Sequence, residues 1–519
     1  MSLLTFILGV PLLAGILLLF LPRNLRFLAR LISLGATFVS MVMAVVLFAK
    51  FQTGAETFQF VQKVAWIESL GISYHVGVDG INVGLVLMAA IVAFAATCVS
   101  WEIKDREKEF YVLLMFMSGG IIGAFASLDL FFFYFFHELA LVPTFIMIGV
   151  WGKGTEKNYA AFKMTLYLSL GALIALLGLI VLYVQAGANT FDIVEITARL
   201  KAQPLPAAVQ SIIFPLLLFG FGILVSLWPF HTWAPIGYGS APTATSMLHA
   251  GVLKKFGLYG LIRVALPLLP DALNSGSIFG PGWLDILVFL CLGNILFCGL
   301  VAIRQKNLNL LIGNSSVAHM GFIFLGIASL TLVGITGAIV IMVAHGLLAA
   351  LTFAVSGYLY QQTRTLEIEK MGGLLRAVPF IGAVMIMAMM AGCGLPGFAN
   401  FVGEAMVFFG AWKAYPVATA LACWGGLVIG AVYMLRAIRN ILHGELVADF
   451  KNIADASNPW RKLPFVILVA ALLWFGFVPG SLTEKIKPDA EKIVSMSKPP
   501  GNDKETTLEG NKKHTASVR

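Results

Sequence analysis

Residues 394–410, GLPGFANFVGEAMVFFG, decide how this chain is read. Gly394, Pro396 and Gly397 interrupt an apolar segment, which then resumes and carries one carboxylate, Glu404, with no other charged residue between Arg376 and Lys413. An ionisable side chain at the centre of a membrane span costs about 2.5–3.5 kcal/mol on insertion scales, so such groups face a cavity or an ion path. Non-helical backbone is tolerated at that depth only where it is packed in protein or lines a wet cavity. Glu404 is therefore the first candidate functional residue.

The rest of the sequence supplies the membrane. Of 519 residues, 59% are hydrophobic and only 12% charged, about half the charge of an ordinary soluble domain. Apolar runs of span length predict an all-α polytopic membrane protein with fourteen transmembrane helices, at roughly 3–21, 27–49, 79–99, 110–127, 129–151, 159–184, 208–228, 243–267, 283–302, 307–328, 333–360, 377–411, 415–441 and 462–480. The run from Leu3 to Leu21 is too long for a signal-peptide core and lacks a basic segment before it, so it reads as the first span.

A net charge of +9 invites nucleic acid as a partner, but the basic residues sit in short loops. About eighteen Lys and Arg follow odd-numbered spans and about five follow even-numbered ones. By the positive-inside rule the odd loops are cytoplasmic, which puts both termini outside. The polar stretch from about Thr483 onward reads as a disordered, dispensable tail.

Two breaks organise the middle. The seventh span runs into SLWPFHTWAPIGYGSAP (226–242) and the twelfth into GCGLPGFANF (392–401). They lie five spans apart, and an odd repeat length forces two five-helix units into opposite orientations, as in transporters whose ion sites sit at broken helices. The predicted organisation is three N-terminal spans (1–109), a first unit (110–267), a second, inverted unit (283–441), a loop and last helix (442–482) and the tail (483–519).

Within the spans, ionisable groups recur. Glu138 lies in FFFYFFHELALVP, where a carboxylate reads as buried, and either hydrogen-bonded structurally to a neighbouring helix or part of a proton relay. Lys254 and Lys255 follow His249 in SMLHAGVLKKFGLYGLIR and differ by about 100° in azimuth, so one of them faces a given neighbour. Snorkelling explains either lysine poorly so far from Arg263, and Lys255 is the stronger candidate. His319, His345 and His231 are each explicable alone as a helix-to-helix hydrogen bond; together with the acids and lysines they make a row of groups that can hand on a proton. Asp79 and Asp129 begin spans and read as caps or interfacial groups. The five cysteines are scattered in apolar segments without metal spacing, and no phosphate loop, HExxH, esterase elbow or EF-hand occurs.

The segments FFFYFFHELALVPTFIMIGVWG, LWPFHTW, APTATSMLHAGVLKKFGLYGLIR, SSVAHMGF, AHGLLAAL and GLPGFANFVGE, in that order over roughly residues 75–445, resemble the subunit M family of bacterial NADH-quinone oxidoreductase (complex I), equivalent to chain 4 of the mitochondrial enzyme. The resemblance implies an antiporter-like proton channel in a membrane arm, with NADH, FMN, iron–sulfur clusters and quinone held by partner subunits and no cofactor or metal in this chain. It assigns Glu138, Lys255, His319, His345 and Glu404 to the family's relay positions. Related Mrp-type, L and N subunits carry lysine where this chain has Glu404. An Mrp-like cation/proton antiporter subunit and a membrane hydrogenase or formate-hydrogenlyase subunit are the alternatives. One departure stands out: the family places a lysine seven residues before the histidine of PxHxW, and here that residue is Leu224. Either another cation such as Lys254 or Lys163 takes its place beside Glu138, or the route is altered or absent, leaving a structural spacer.

Overall fold

The computed structural model describes residues 2–276, 280–450 and 452–498. The chain begins with α1 (Leu3–Phe20) and α2 (Arg26–Lys50), followed by a hairpin of β1 (Gln59–Ile67) and β2 (Ile72–Val78). Then come α3 (Val83–Val99), α4 (Glu107–Ala126), α5 (Leu130–Trp151), α6 (Lys157–Ala186) and the short amphipathic α7 (Ile193–Ala202). The middle of the chain forms α8 (Ala207–Val225), α9 (Trp233–Ser240), a helix over 243–268 interrupted by two π-turns (α10), α11 (Trp283–Arg304), α12 (Leu308–Ala328) and α13 (Leu332–Thr363). The last elements are α14 (Pro379–Gly392), α15 (Ala399–Trp412), α16 (Pro416–Leu442), α17 (Pro459–Phe477) and α18 (Gly480–Met496).

Among the described residues, twelve helices are long and apolar enough to cross a membrane. The other two predicted spans take different forms, so fourteen uniform helices is not what the chain makes. The eighth is α10, whose π-turns at His249–Leu253 and Leu261–Ala265 break its regularity. The twelfth is the pair α14 and α15, separated by residues 393–398. The expected break after the seventh span is present: α8 ends at Ser226, held at φ 74°, and the chain turns before α9. The second break has its own left-handed residues, Gly394 at φ 68° and Gly397 at φ 103°. Glycine adopts those angles at little cost, which is why the GLPG sequence can stop a helix inside a packed bundle.

The helices sort by burial as their sequences dictate. The best 18-residue window of α13 is wholly buried and that of α12 nearly so, whereas α1, α2 and α17 bury about a third of theirs and give the rest to lipid. A helix apolar on every side fits the centre of such a bundle. Close approach of α13 and α15 depends on Gly337 and Gly403: a β-carbon on Gly403 would lie 2.5 Å from Ile341 Cγ1. Small residues at this crossing bring the following residue, Glu404, against the central helices. A buried bidentate pair of Arg263 with Asp79, at 2.6 and 2.7 Å, fastens the far end of α10 to the start of α3.

Two features depart from the sequence reading. The loop after the second span is a β-hairpin, antiparallel and irregular in register, so the fold is helical with one small sheet. The stretch from Thr483 begins no disordered tail: α18 runs to Met496 and buries Leu482, Ile486 and Ile493. Its apolar positions recur at helical spacing, which high overall polarity concealed. Asp489 accepts a 2.7 Å hydrogen bond from Gly80 N, so this helix is tied to the start of α3. The expectation for 499–519 lies outside the described residues.

Candidate functional site

The local structure of α10 explains how two adjacent lysines come to lie wholly inside the bundle. In the first π-turn the Lys254 N–H reaches back five residues to His249 O at 3.2 Å and so does not bond to Ala250 O. The Ala250 carbonyl instead accepts from Lys255 Nζ at 2.7 Å. The extra residue also swings the two side chains apart. Lys254 Nζ donates to Ser316 Oγ at 2.8 Å, while Lys255 Nζ lies 2.9 Å from His345 Nδ1 on α13. π-turns of this kind concentrate at functional sites.

From Lys255 a row of buried groups continues to the second break. The His345 and His319 rings are 5.2 Å apart, centre to centre. His319 Nδ1 lies 2.7 Å from Ser315 O. A carbonyl can only accept, so Nδ1 carries a proton and Nε2 is the nitrogen free to exchange one. Nε2 faces Glu404 Oε1 at 3.8 Å. By the same argument a protonated Lys255 makes His345 Nδ1 the acceptor. None of the four side chains is more than 6% exposed, and Lys255 is not exposed at all.

Glu404 is held by the break itself. Its Oε2 lies where a β-carbon on Gly394 would come within 2.6 Å, so glycine at 394 both turns the chain and makes room for the carboxylate. Oε1 has no hydrogen-bond partner, and a cavity of about 10 Å³, lined by His319, Gly392, Glu404 and Tyr433 among others, lies beside it. That is about the space one water needs. One turn earlier on α15, both amide atoms of the fully buried Asn400 are also without partners. Tyr433 on α16 reaches Ser315 Oγ at 3.2 Å, closing the opposite wall. Asn400 and Tyr433 are residues the sequence reading missed; an amide in the turn before Glu404 was the available signal for the first.

Glu138 does not sit as expected. Its side chain is 32% exposed on the outside of α5 and is not in the buried row. The cation expected beside it is neither lysine: Lys254 points to Ser316, and Lys163 lies over the Tyr159 ring at 5.8 Å. Its neighbour is His137 Nδ1, 3.6 Å from Oε1. The position of the absent lysine, Leu224, is filled by buried core. His137 is buried and stacks on Phe256, the residue after Lys255, with ring centres 4.0 Å apart. His249 in turn is within electrostatic reach of His137, Lys254 and Lys255. These two histidines occupy the interval between Glu138 and the lysines, a role sequence reading did not give them. His231 stands apart in the first break, its ring against Phe297 at 5.9 Å.

Groups at the rim obey ordinary solution electrostatics. Asp192 caps α7, and accepts from Lys63 Nζ at 2.6 Å beside His75 Nδ1 at 2.8 Å. Burial alone would raise its carboxyl; the bonds to His75 and Lys63 more than offset this and hold it down at about 2.

Comparison with known proteins is consistent with this arrangement. Residues 127–430 match the family described as NADH:quinone oxidoreductase/Mrp antiporter, TM. The chain is 33% identical over 474 residues to the NADH-quinone oxidoreductase subunit M of Rickettsia typhi, covering 91% of this chain and 93% of that one. It resembles a chain of respiratory complex I from Thermus thermophilus with bound NADH at a TM-score of 0.86 and 27% identity, covering 96% of this chain and 100% of that one. A chain of the Mrp complex from Dietzia sp. shares the fold at a TM-score of 0.80 and 18% identity, covering 95% and 97%.

Proposed function

The chain belongs to the NADH:quinone oxidoreductase/Mrp antiporter membrane family, and we propose that it is the proton-translocating membrane-arm subunit of a respiratory NADH:quinone oxidoreductase. The observation that carries this reading is the buried row Lys255, His345, His319, Glu404, with Nζ 2.9 Å from Nδ1 at the first step, ring centres 5.2 Å apart at the second and Nε2 3.8 Å from Oε1 at the third. Each member can hold or release a proton, and all are shielded from lipid. Protons enter the row through Glu138, His137 and His249 in place of the family's lysine, and leave at Glu404 by way of the small cavity and Asn400. Moving a charge against the membrane potential takes about 2.3 kcal/mol per 100 mV. The work comes from electron transfer in partner subunits, which hold NADH, FMN, iron–sulfur clusters and quinone; this chain supplies the channel.

The position of Glu138 supports a partner. A carboxylate a third exposed on a lipid-facing helix is costly in hydrocarbon. Another membrane-arm subunit packed on α5 would cover it. The family's Mrp branch carries lysine at the Glu404 position, which favours the NADH:quinone oxidoreductase over the antiporter. The membrane of this reading is a bacterial inner membrane, and the distribution of Lys and Arg supports periplasmic termini, with the loop ends bearing Lys104, Arg364 and Arg461 cytoplasmic.

The test is NADH-driven proton uptake in inverted membrane vesicles. Glu404→Gln and Glu138→Gln are expected to lower uptake per NADH while leaving NADH–ferricyanide reduction intact. Full uptake in both variants, in complexes assembled at normal levels, overturns the relay.

A further inference from the structure

A cavity of about 830 Å³ lies apart from the relay, between α2, the end of α3, the end of α13 and the start of α17. Its lining includes Lys104, Arg364 and Arg461, all exposed, and none is in an ion pair among the described residues. It also includes the exposed indoles of Trp101 and Trp460. Apolar side chains complete it: the exposed Leu31, the partly buried Leu34 and Val99, and the buried Pro464 and Phe465. The one acid, Glu102, is already engaged, accepting from Thr243 N at 3.2 Å and Gln361 Nε2 at 2.7 Å with Lys153 3.9 Å away.

We infer that this cavity binds one anionic glycerophospholipid of the cytoplasmic leaflet, its phosphate on Arg364, Arg461 and Lys104 and its acyl chains along the apolar lining. Three observations select a lipid. The cavity borders α2 and α17, apolar helices of span length of whose best windows only about a third is buried in this chain, so its mouth opens on a membrane-spanning face. Its lining brings cations, indoles and apolar side chains together as an amphiphile at a membrane boundary requires, and tryptophan collects at the headgroup level there. The uncompensated positive charge selects an anion, as basic pockets between spans do for acidic headgroups. The space falls within the roughly 300–1,000 Å³ of small-molecule sites, enough for the headgroup, glycerol and upper acyl segments. The leaflet rests on the orientation proposed above; the binding does not. The site joins helices from both termini and the central α13, so a bound lipid would brace a seam that protein contacts leave open.

The experiment uses the whole purified complex, partly delipidated and incubated with photoactivatable phosphatidylglycerol or phosphatidylcholine, with label mapped by peptide mass spectrometry. Phosphatidylglycerol is expected to label residues 98–104, 358–364 and 460–465, and phosphatidylcholine to label them at least about tenfold less. At about 1 kcal/mol for each basic residue near an acidic headgroup, Arg364→Gln with Arg461→Gln lowers labelling roughly thirty-fold. Should the double variant fail to assemble, Leu34→Trp, which fills the apolar part and leaves the cations, is expected to abolish acyl labelling. Equal labelling by the two lipids, labelling indifferent to these variants, displacement by millimolar inorganic phosphate, or a neighbouring subunit cross-linked in the cavity each overturns the proposal.

Discussion

Replacing His345 with leucine removes the one ring that joins Lys255 to the rest of the row. Lys255 Nζ is 2.9 Å from His345 Nδ1, and no hydrogen bond joins Lys255 to His319 directly among the described residues. A proton-transfer partner must lie within hydrogen-bond reach or one water away; without His345, Lys255 has no titratable partner within hydrogen-bond distance among the described residues. Losing a positioned proton-transfer group costs typically 10²–10⁴-fold in rate, so transfer through this subunit drops below what NADH turnover requires. The charge-assisted bond lost is worth about 1.5–3 kcal/mol, and Lys255 keeps its bond to Ala250 O, so the variant should still assemble. Proton uptake per NADH in inverted vesicles reads the first effect and assembly on native gels the second. His345→Gln is the control: an amide can still accept from Lys255 but does not titrate near neutral pH. Both variants should lose this subunit's share of uptake. Full recovery with glutamine would reduce His345 to a hydrogen-bonding anchor, and full uptake with leucine would refute the row.

Three further outcomes follow from particular contacts. Lys255→Met should abolish this subunit's uptake, whereas Lys254→Met, which loses the bonds to Ser316 and the contact with the Tyr238 ring, should keep most of it in the same assay. Truncation after Pro479 removes α18 with buried Leu482, Ile486 and Ile493, worth about 1.5–3 kcal/mol each, and should lower the thermal stability of the complex measurably; an unchanged melting temperature would show the helix idle. The Asp192 carboxyl sits at about 2 when folded, below its unfolded value near 3.9, so its contribution is complete above about pH 4 and is lost as pH falls toward 2. Hydrogen exchange in 59–78 should owe nothing to Asp192 titration between pH 5 and 8, and a slope there that Asp192→Asn removes would contradict this.

How much the sequence disclosed depended on which interaction decided each feature. Membrane spans follow from the transfer of side chains out of water, a property of local composition, and twelve of them are helices of span length, two with a π-turn inside. The break at 394–397 was equally legible, because glycine and proline impose it locally. The clustering of Lys255, His319, His345 and Glu404 was legible in part: ionisable groups in apolar sequence must find one another, but not which neighbour each finds. Three things stayed hidden for physical reasons. The π-turn at 249–253 is set by packing of α10 against its neighbours, and it sends Lys254 and Lys255 to different partners. The exposure of Glu138 depends on which side of α5 meets protein, which apolar flanks on every side cannot reveal. The helix α18 has low mean hydropathy, and its packing against α13 and the end of α10, with its tie to Gly80, orders it.

The chain's departure at Leu224 bears on how such a row is loaded. A lysine beside Glu138 would fix a permanent charge pair at the surface of the bundle; here His137 stands in that place, its Nδ1 3.6 Å from Oε1, with Tyr134 as a further neighbour. In the relay proposed above, a proton on His137 would strengthen its attraction for Glu138, and its passage inward toward His249 and the lysines would release it. The same contact would then report the state of the row behind it. Since Glu138 lies at the chain's outer face, that state is presented to whatever subunit covers α5. A histidine pair does this with fewer parts than a fixed cation, because the element that couples to the neighbour is also the element that carries the proton.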